Sequence, residues 1–113
     1  MIFDNGGSSG YGAPSPVGPR GSGVYARATS RIREINPVTL ELVWSYAAPS
    51  FFSTNISSAQ RLENGNTLIT AGAPGRVFEV SSEGKIVWEY MNAPSATGRK
   101  SNSVYRACRL PYA

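Results

Sequence analysis

The stretch Ser58-Ala59-Gln60-Arg61-Leu62-Glu63-Asn64-Gly65-Asn66-Thr67-Leu68-Ile69-Thr70 decides the fold. Two short strand-forming runs flank Asn64-Gly65, and Asn-Gly is the strongest short hairpin signal because a type I′ turn needs positive φ at both central residues. Downstream, Ala73-Pro74-Gly75 and Glu83-Gly84 punctuate two further connections. Ile86, Trp88 and Tyr90 alternate with Lys85, Val87 and Glu89, the period of two that a strand imposes. The segment predicts four consecutive antiparallel strands near 58–62, 67–71, 76–80 and 85–90, here called a, b, c and d.

Working outward, the same unit recurs. Arg31-Ile32-Arg33-Glu34-Ile35 is echoed by Arg76-Val77-Phe78-Glu79-Val80 at a spacing of 45 residues, and Leu42-Val43-Trp44-Ser45-Tyr46 by Ile86-Val87-Trp88-Glu89-Tyr90 at 44. The one-residue difference falls in the intervening turn, Asn36-Pro37-Val38-Thr39 against Ser81-Ser82-Glu83-Gly84, where a length change costs little. Ala59-Gln60-Arg61-Leu62 is echoed by Ala107-Cys108-Arg109-Leu110, and Ile2-Phe3-Asp4-Asn5-Gly6 aligns loosely with Leu68-Ile69-Thr70-Ala71-Gly72. The first copy therefore supplies b at 2–5, c at 31–35 and d at 40–46, with no strand a because the chain begins at Met1; 103–110 supplies a surplus strand a at the end.

Four strands every 40 to 45 residues is the spacing of a β-propeller blade, roughly. The expected fold class is all-β, with two four-stranded blades' worth per chain. The domain reading is one two-blade module over 1–113: residues 1–46 with a Gly, Ser and Pro-rich loop at 6–23, a second blade over 58–91, and the strand at 103–110. The loop is either a flexible excursion or a flap over a ring's mouth. Two blades alone would leave Trp and Tyr faces wet and a strand edge unpaired, although burial of each such side chain contributes roughly 1.5 to 3 kcal/mol. Pairing of the surplus strand with the incomplete sheet of the next copy resolves this and joins chains head to tail into a ring of two, three or four copies. The competing reading is a piece of a longer chain.

Composition narrows the chemistry. Glycine and proline make up 20 of 113 residues, unfavourable for a helical fold. With one cysteine, Cys108, and no histidine, there is no internal disulfide framework or Cys-based zinc cluster, and the commonest metal ligand and general base is missing. Cys108 reads as a small buried filler. No cofactor is expected. The net charge of +4 is scattered, and nine of the eleven cations are Arg, suited to planar anions and also to packing over aromatic surface. No basic cluster suggests nucleic acid, and the Gly-rich stretch is followed by no Gly-Lys-Ser/Thr that would cradle phosphate. No run approaches the ~18 apolar residues of a membrane span, and Met1-Ile2-Phe3-Asp4 lacks the order of a signal peptide. The expected partners are the chain itself and a small ligand, with neither nucleic acid nor membrane; the compartment is not readable.

The runs Ser30-Arg31-Ile32, Glu34-Ile35-Asn36-Pro37, Leu42-Val43-Trp44, Gln60-Arg61-Leu62-Glu63-Asn64-Gly65-Asn66-Thr67-Leu68-Ile69 and Gly75-Arg76-Val77-Phe78-Glu79-Val80, with the opening Ile2-Phe3-Asp4-Asn5-Gly6, resemble the C-terminal blades of the arylsulfotransferase-like β-propellers. The likeness runs over nearly the whole chain. It implies a six-bladed ring, hence three copies here, and a sulfuryl transfer between phenols through a histidine in the central funnel. This sequence departs from the pattern at that point, because it has no histidine and Tyr or Lys, with pKa values near 10, would need strong activation to replace one.

On the strands that would line the axis stand Asp4, Asn5, Tyr25, Arg27, Arg31, Gln60, Arg61 and Arg106. These are the candidate ligand-binding residues. An Arg cluster there could hold sulfate, phosphate or carboxylate by charge-assisted forks; alternatively Asp4 and an Arg form interblade ion pairs, or Asp4 satisfies turn amides. The functional expectation is a non-catalytic oligomeric propeller, a scaffold or binding module for a small anionic or aromatic ligand. The alternative is a diverged group-transfer enzyme using Arg, Tyr and Asp.

Overall fold

The computed structural model describes residues 1–6, 29–93 and 102–111, which fall into two units, Met1–Asn55 and Ile56–Ala113. It is all-β, with two antiparallel sheets of three and four strands and no helix among the described residues.

In the first unit, β1 (Ile2–Asp4), β2 (Arg31–Ile35) and β3 (Leu42–Tyr46) pair in chain order. Phe3, Ile32 and Tyr46 stand opposite one another and so share one face; Ile2, Arg33 and Ser45 share the other. Phe51 packs on the first face, its ring 5.3 Å from Phe3 and 5.4 Å from Tyr46. Buried Ser30 fixes that crossing: its N–H donates to the Phe51 carbonyl, its hydroxyl donates to the Asn5 carbonyl at 2.6 Å, and it accepts from the Ser53 N–H.

In the second unit, β4 (Ser57–Arg61), β5 (Thr67–Ala71), β6 (Arg76–Val80) and β7 (Ile86–Met91) form the meander. Its register creates two cross-strand rows on one face: Gln60, Leu68, Glu79 and Trp88, and beside them Ser58, Thr70, Val77 and Tyr90. The opposite face carries Ile69, Phe78 and Val80, all fully buried.

The repeat is visible in the irregularities as well as the strands. Each sheet slips register at the same point, between Glu34 and Ile35 and between Glu79 and Val80, with Val43 and Val87 as the extra residues. The turn before that slip is one residue longer in the first unit: the Asn36 N–H reaches the Glu41 carbonyl, whereas the Ser81 N–H reaches that of Lys85. Leu40, at φ 62°, stands where the second unit has Gly84, at φ 81°. That left-handed residue starts β3 at Leu42 rather than 40.

Three expectations are corrected. The Asn64-Gly65 hairpin forms, but only Gly65 has positive φ, so the loop is a type I turn closed by a left-handed glycine, not type I′. The register pairs Ile2 with Arg33 and Ile69 with Phe78, so Ile2 is the counterpart of Ile69, one residue off the loose sequence alignment; such a slip exchanges faces. Residues 102–111 form no strand. They lie along the face of their own unit's sheet. The loop at 6–23 falls, apart from Gly6, outside the described residues.

Candidate functional site

The C-terminal segment is held on the two rows of the second sheet that it crosses. It starts at the β5–β6 turn, where the Val104 N–H donates to the Gly72 carbonyl at 2.9 Å and the Asn102 amide donates to the Pro74 carbonyl at 2.9 Å. The Ala107 N–H then donates to the Thr70 hydroxyl at 3.1 Å. The Gln60 side-chain amide behaves like a peptide group of a neighbouring strand: its Oε1 accepts from the Arg109 N–H at 2.8 Å and its Nε2 donates to the Arg109 carbonyl at 3.0 Å.

Glu79 anchors the end of the segment. Its carboxylate is buried mid-sheet, accepting from the Asn66 amide at 2.7 Å and from the Arg109 guanidinium at 2.5 Å, while that guanidinium lies 5.6 Å from the centre of the Trp88 ring. The Asn66 hydrogen bond is the main influence holding the Glu79 pKa below its ordinary value; burial opposes it, and Asn64 and the Arg109 charge reinforce it. A depressed carboxylate pKa contributes stability that is fully present above the unfolded value of about 4.3 and is lost as pH falls through the lower folded value. Glu79→Gln is therefore expected to melt below the parent chain at pH 7, with the gap closing toward pH 3 in thermal scans. A gap independent of pH would contradict this role for Glu79.

Where the segment meets the β4–β5 turn, Gln60, Arg61, Asn64, Arg109, Leu110 and Pro111 help line an open cavity of about 330 Å³, at the small end of the range for ligand sites. Two guanidinium groups, two amides and apolar walls suit a small anion with an apolar body. The Arg61 guanidinium donates to the Gly65 carbonyl at 2.9 Å, which fixes it at the cavity's rim. Among the described residues no group of three or more carboxylate or thiol side chains could hold a metal ion.

The predicted site residues divide between the units. Asp4 and Arg31 form an ion pair at 2.7 Å between directly opposed positions of β1 and β2, a pairing within one sheet. Asn5 supplies its carbonyl to Ser30. Gln60 and Arg61 reach the cavity, and Arg106 is exposed on the C-terminal segment. Tyr25 and Arg27 lie outside the described residues. Glu79, Asn66 and Arg109 were missed; the signal was the repeat itself, which makes Glu79 the counterpart of Glu34 and Arg109 that of Arg61.

Two side-chain expectations change. Cys108 is exposed rather than a buried filler, because the segment carrying it has a sheet on one side only. Trp88 and Tyr90 are 44% and 49% exposed, not core, because β7 is an edge strand whose face meets only the Arg109 side chain near Trp88. Their counterparts differ: Tyr46 is 6% exposed and Trp44 half-buried.

No protein family, curated protein or solved structure matches the chain.

Proposed function

We propose that this chain is a non-catalytic β-propeller module of the arylsulfotransferase-like type that assembles with copies of itself, three to a six-bladed ring, and binds a small anionic or aromatic ligand. The observation that carries the reading is the state of residues 104–110. Amides in an extended segment point alternately to its two sides. Those of Ala107 and Arg109 are taken up by Thr70 and Gln60, while those of Arg106, Cys108 and Leu110 have no partner among the described residues. Such a segment is a strand with one edge satisfied and one edge open, the condition for strand addition from another chain. The cavity beside Arg61 and Arg109 supplies anion-binding chemistry at the end of that segment.

Without histidine, the nucleophile of the resembled enzymes has no counterpart here. Incubation with an aryl sulfate donor and a phenol acceptor is expected to give no turnover above buffer. Turnover that persists through purification and disappears in Arg31→Ala or Arg106→Ala would replace the scaffold reading with the group-transfer one.

A further inference from the structure

We infer that the two sheets present the two unlike halves of one head-to-tail interface, and that the occupant of each is a second copy of this chain. This deepens the assembly reading above and rests on it. Counterpart positions in the two repeats differ in exposure, and in opposite senses on the two faces. On the face bearing the aromatic pair, Tyr46 is 6% exposed in the first sheet and Tyr90 49% in the second. On the other face, Ile69 is fully buried in the second sheet and its counterpart Ile2 is 53% exposed in the first. The bare face of the second sheet is thus the aromatic one, and the bare face of the first is the one carrying Ile2, Arg31 and Arg33.

Two different bare faces do not make a self-complementary contact; they make a heterologous one, which propagates and closes into a ring when the rotation permits. Their chemistry is matched. Arg33 has a buried Nε with no hydrogen-bond partner among the described residues, and the facing surface offers Trp88 and Tyr90. Stacking of Arg on aromatic rings is already used within this chain, with Arg76 4.1 Å from the Phe78 ring centre and Arg109 5.6 Å from that of Trp88. Backbone edges match as well: β1 is the outer strand of its sheet, and the open amides of Arg106, Cys108 and Leu110 lie on the segment beside the aromatic face. The β4–β5 register, carried over by the repeat, sets Phe3 opposite Arg106 and Ile2 opposite Ala107.

The deciding experiment mixes two variants. Trp88→Glu blocks the aromatic face and Arg33→Glu the other; both sites are at the surface, and circular dichroism checks that each variant keeps its sheets. Each alone is expected to lose the parent's assembly and run as a single copy. A one-to-one mixture is expected to recover a species of two copies, because one intact interface remains between them. If the parent assembles and the mixture recovers nothing, the contact is self-complementary and the head-to-tail inference is overturned while assembly stands; a parent that is single throughout removes both. A second reading is independent of those variants: in a Cys108→Ser background, Ile2→Cys with Ala107→Cys should give disulfide-linked chains under oxidation, and linkage confined within single chains would equally overturn the inference.

Discussion

Gly72→Ala is expected to destabilise the chain by about 3 kcal/mol or more, near the upper end for a single substitution. A methyl group there would lie 2.0 Å from the Ile56 carbonyl oxygen and 2.2 Å from that of Val104. Both obstacles are backbone, so no rotamer change relieves them. Gly75 is hemmed in the same way, a methyl meeting the Asn102 carbonyl oxygen at 2.2 Å, with φ at +74° besides. These two glycines let the C-terminal segment approach the β5–β6 turn closely enough for the Val104 bond to form. Gly65 is the control: its φ is +86° but a methyl would meet nothing within 4 Å. Gly65→Ala should therefore carry only the left-handed penalty of about 1 to 2 kcal/mol. Urea unfolding of the three variants ranks them, and equal losses at 65 and 72 would show that the close approach does not exist.

The second large effect is expected from ending the chain after Ser103. Asn102 and its bonds to Pro74 and Asn92 are retained, so the β5–β6 turn keeps its cover. Gln60 loses both amide partners, and Glu79 keeps Asn66 but loses its guanidinium. Removing one member of a buried pair typically costs about 3 to 5 kcal/mol, and the surviving Asn66 bond places this case at the lower end. The shortened chain should melt at lower temperature and no longer assemble. Arg109→Ala separates the two consequences: it removes the ion pair while keeping the open backbone edge, so stability should fall while assembly persists. A shortened chain as stable and as large as the parent would show residues after Ser103 to be dispensable.

Much of the fold could be read from local patterns because local physics sets them. Strands at 31–35, 67–71 and 76–80 fall where alternation and the flanking turns put them. Asn64-Gly65 specified a hairpin, since glycine alone accepts φ of +86°, yet the dipeptide did not fix which turn, because Asn64 stays right-handed. The bulges at Val43 and Val87 left no mark in the alternation, as an extra residue preserves apolar character while shifting register. The candidate site was less legible. Asp4 and Arg31 were read as axial chemistry but are opposed in the β1–β2 ladder, which depends on register and not on residue type. Glu79 looked like an ordinary polar alternate; only the crossing of the sheet by a segment thirty residues away in sequence turns it into a buried anchor. Exposure of Cys108 and Trp88 likewise depends on what lies beyond a face, which no periodicity encodes.

The central claim is that this chain completes its sheets with copies of itself. Light scattering coupled to size exclusion, run on the purified 113-residue chain over a dilution series, measures this directly. The account predicts a principal species of three times 12.1 kDa. A folded species of 12.1 kDa at every concentration would contradict it.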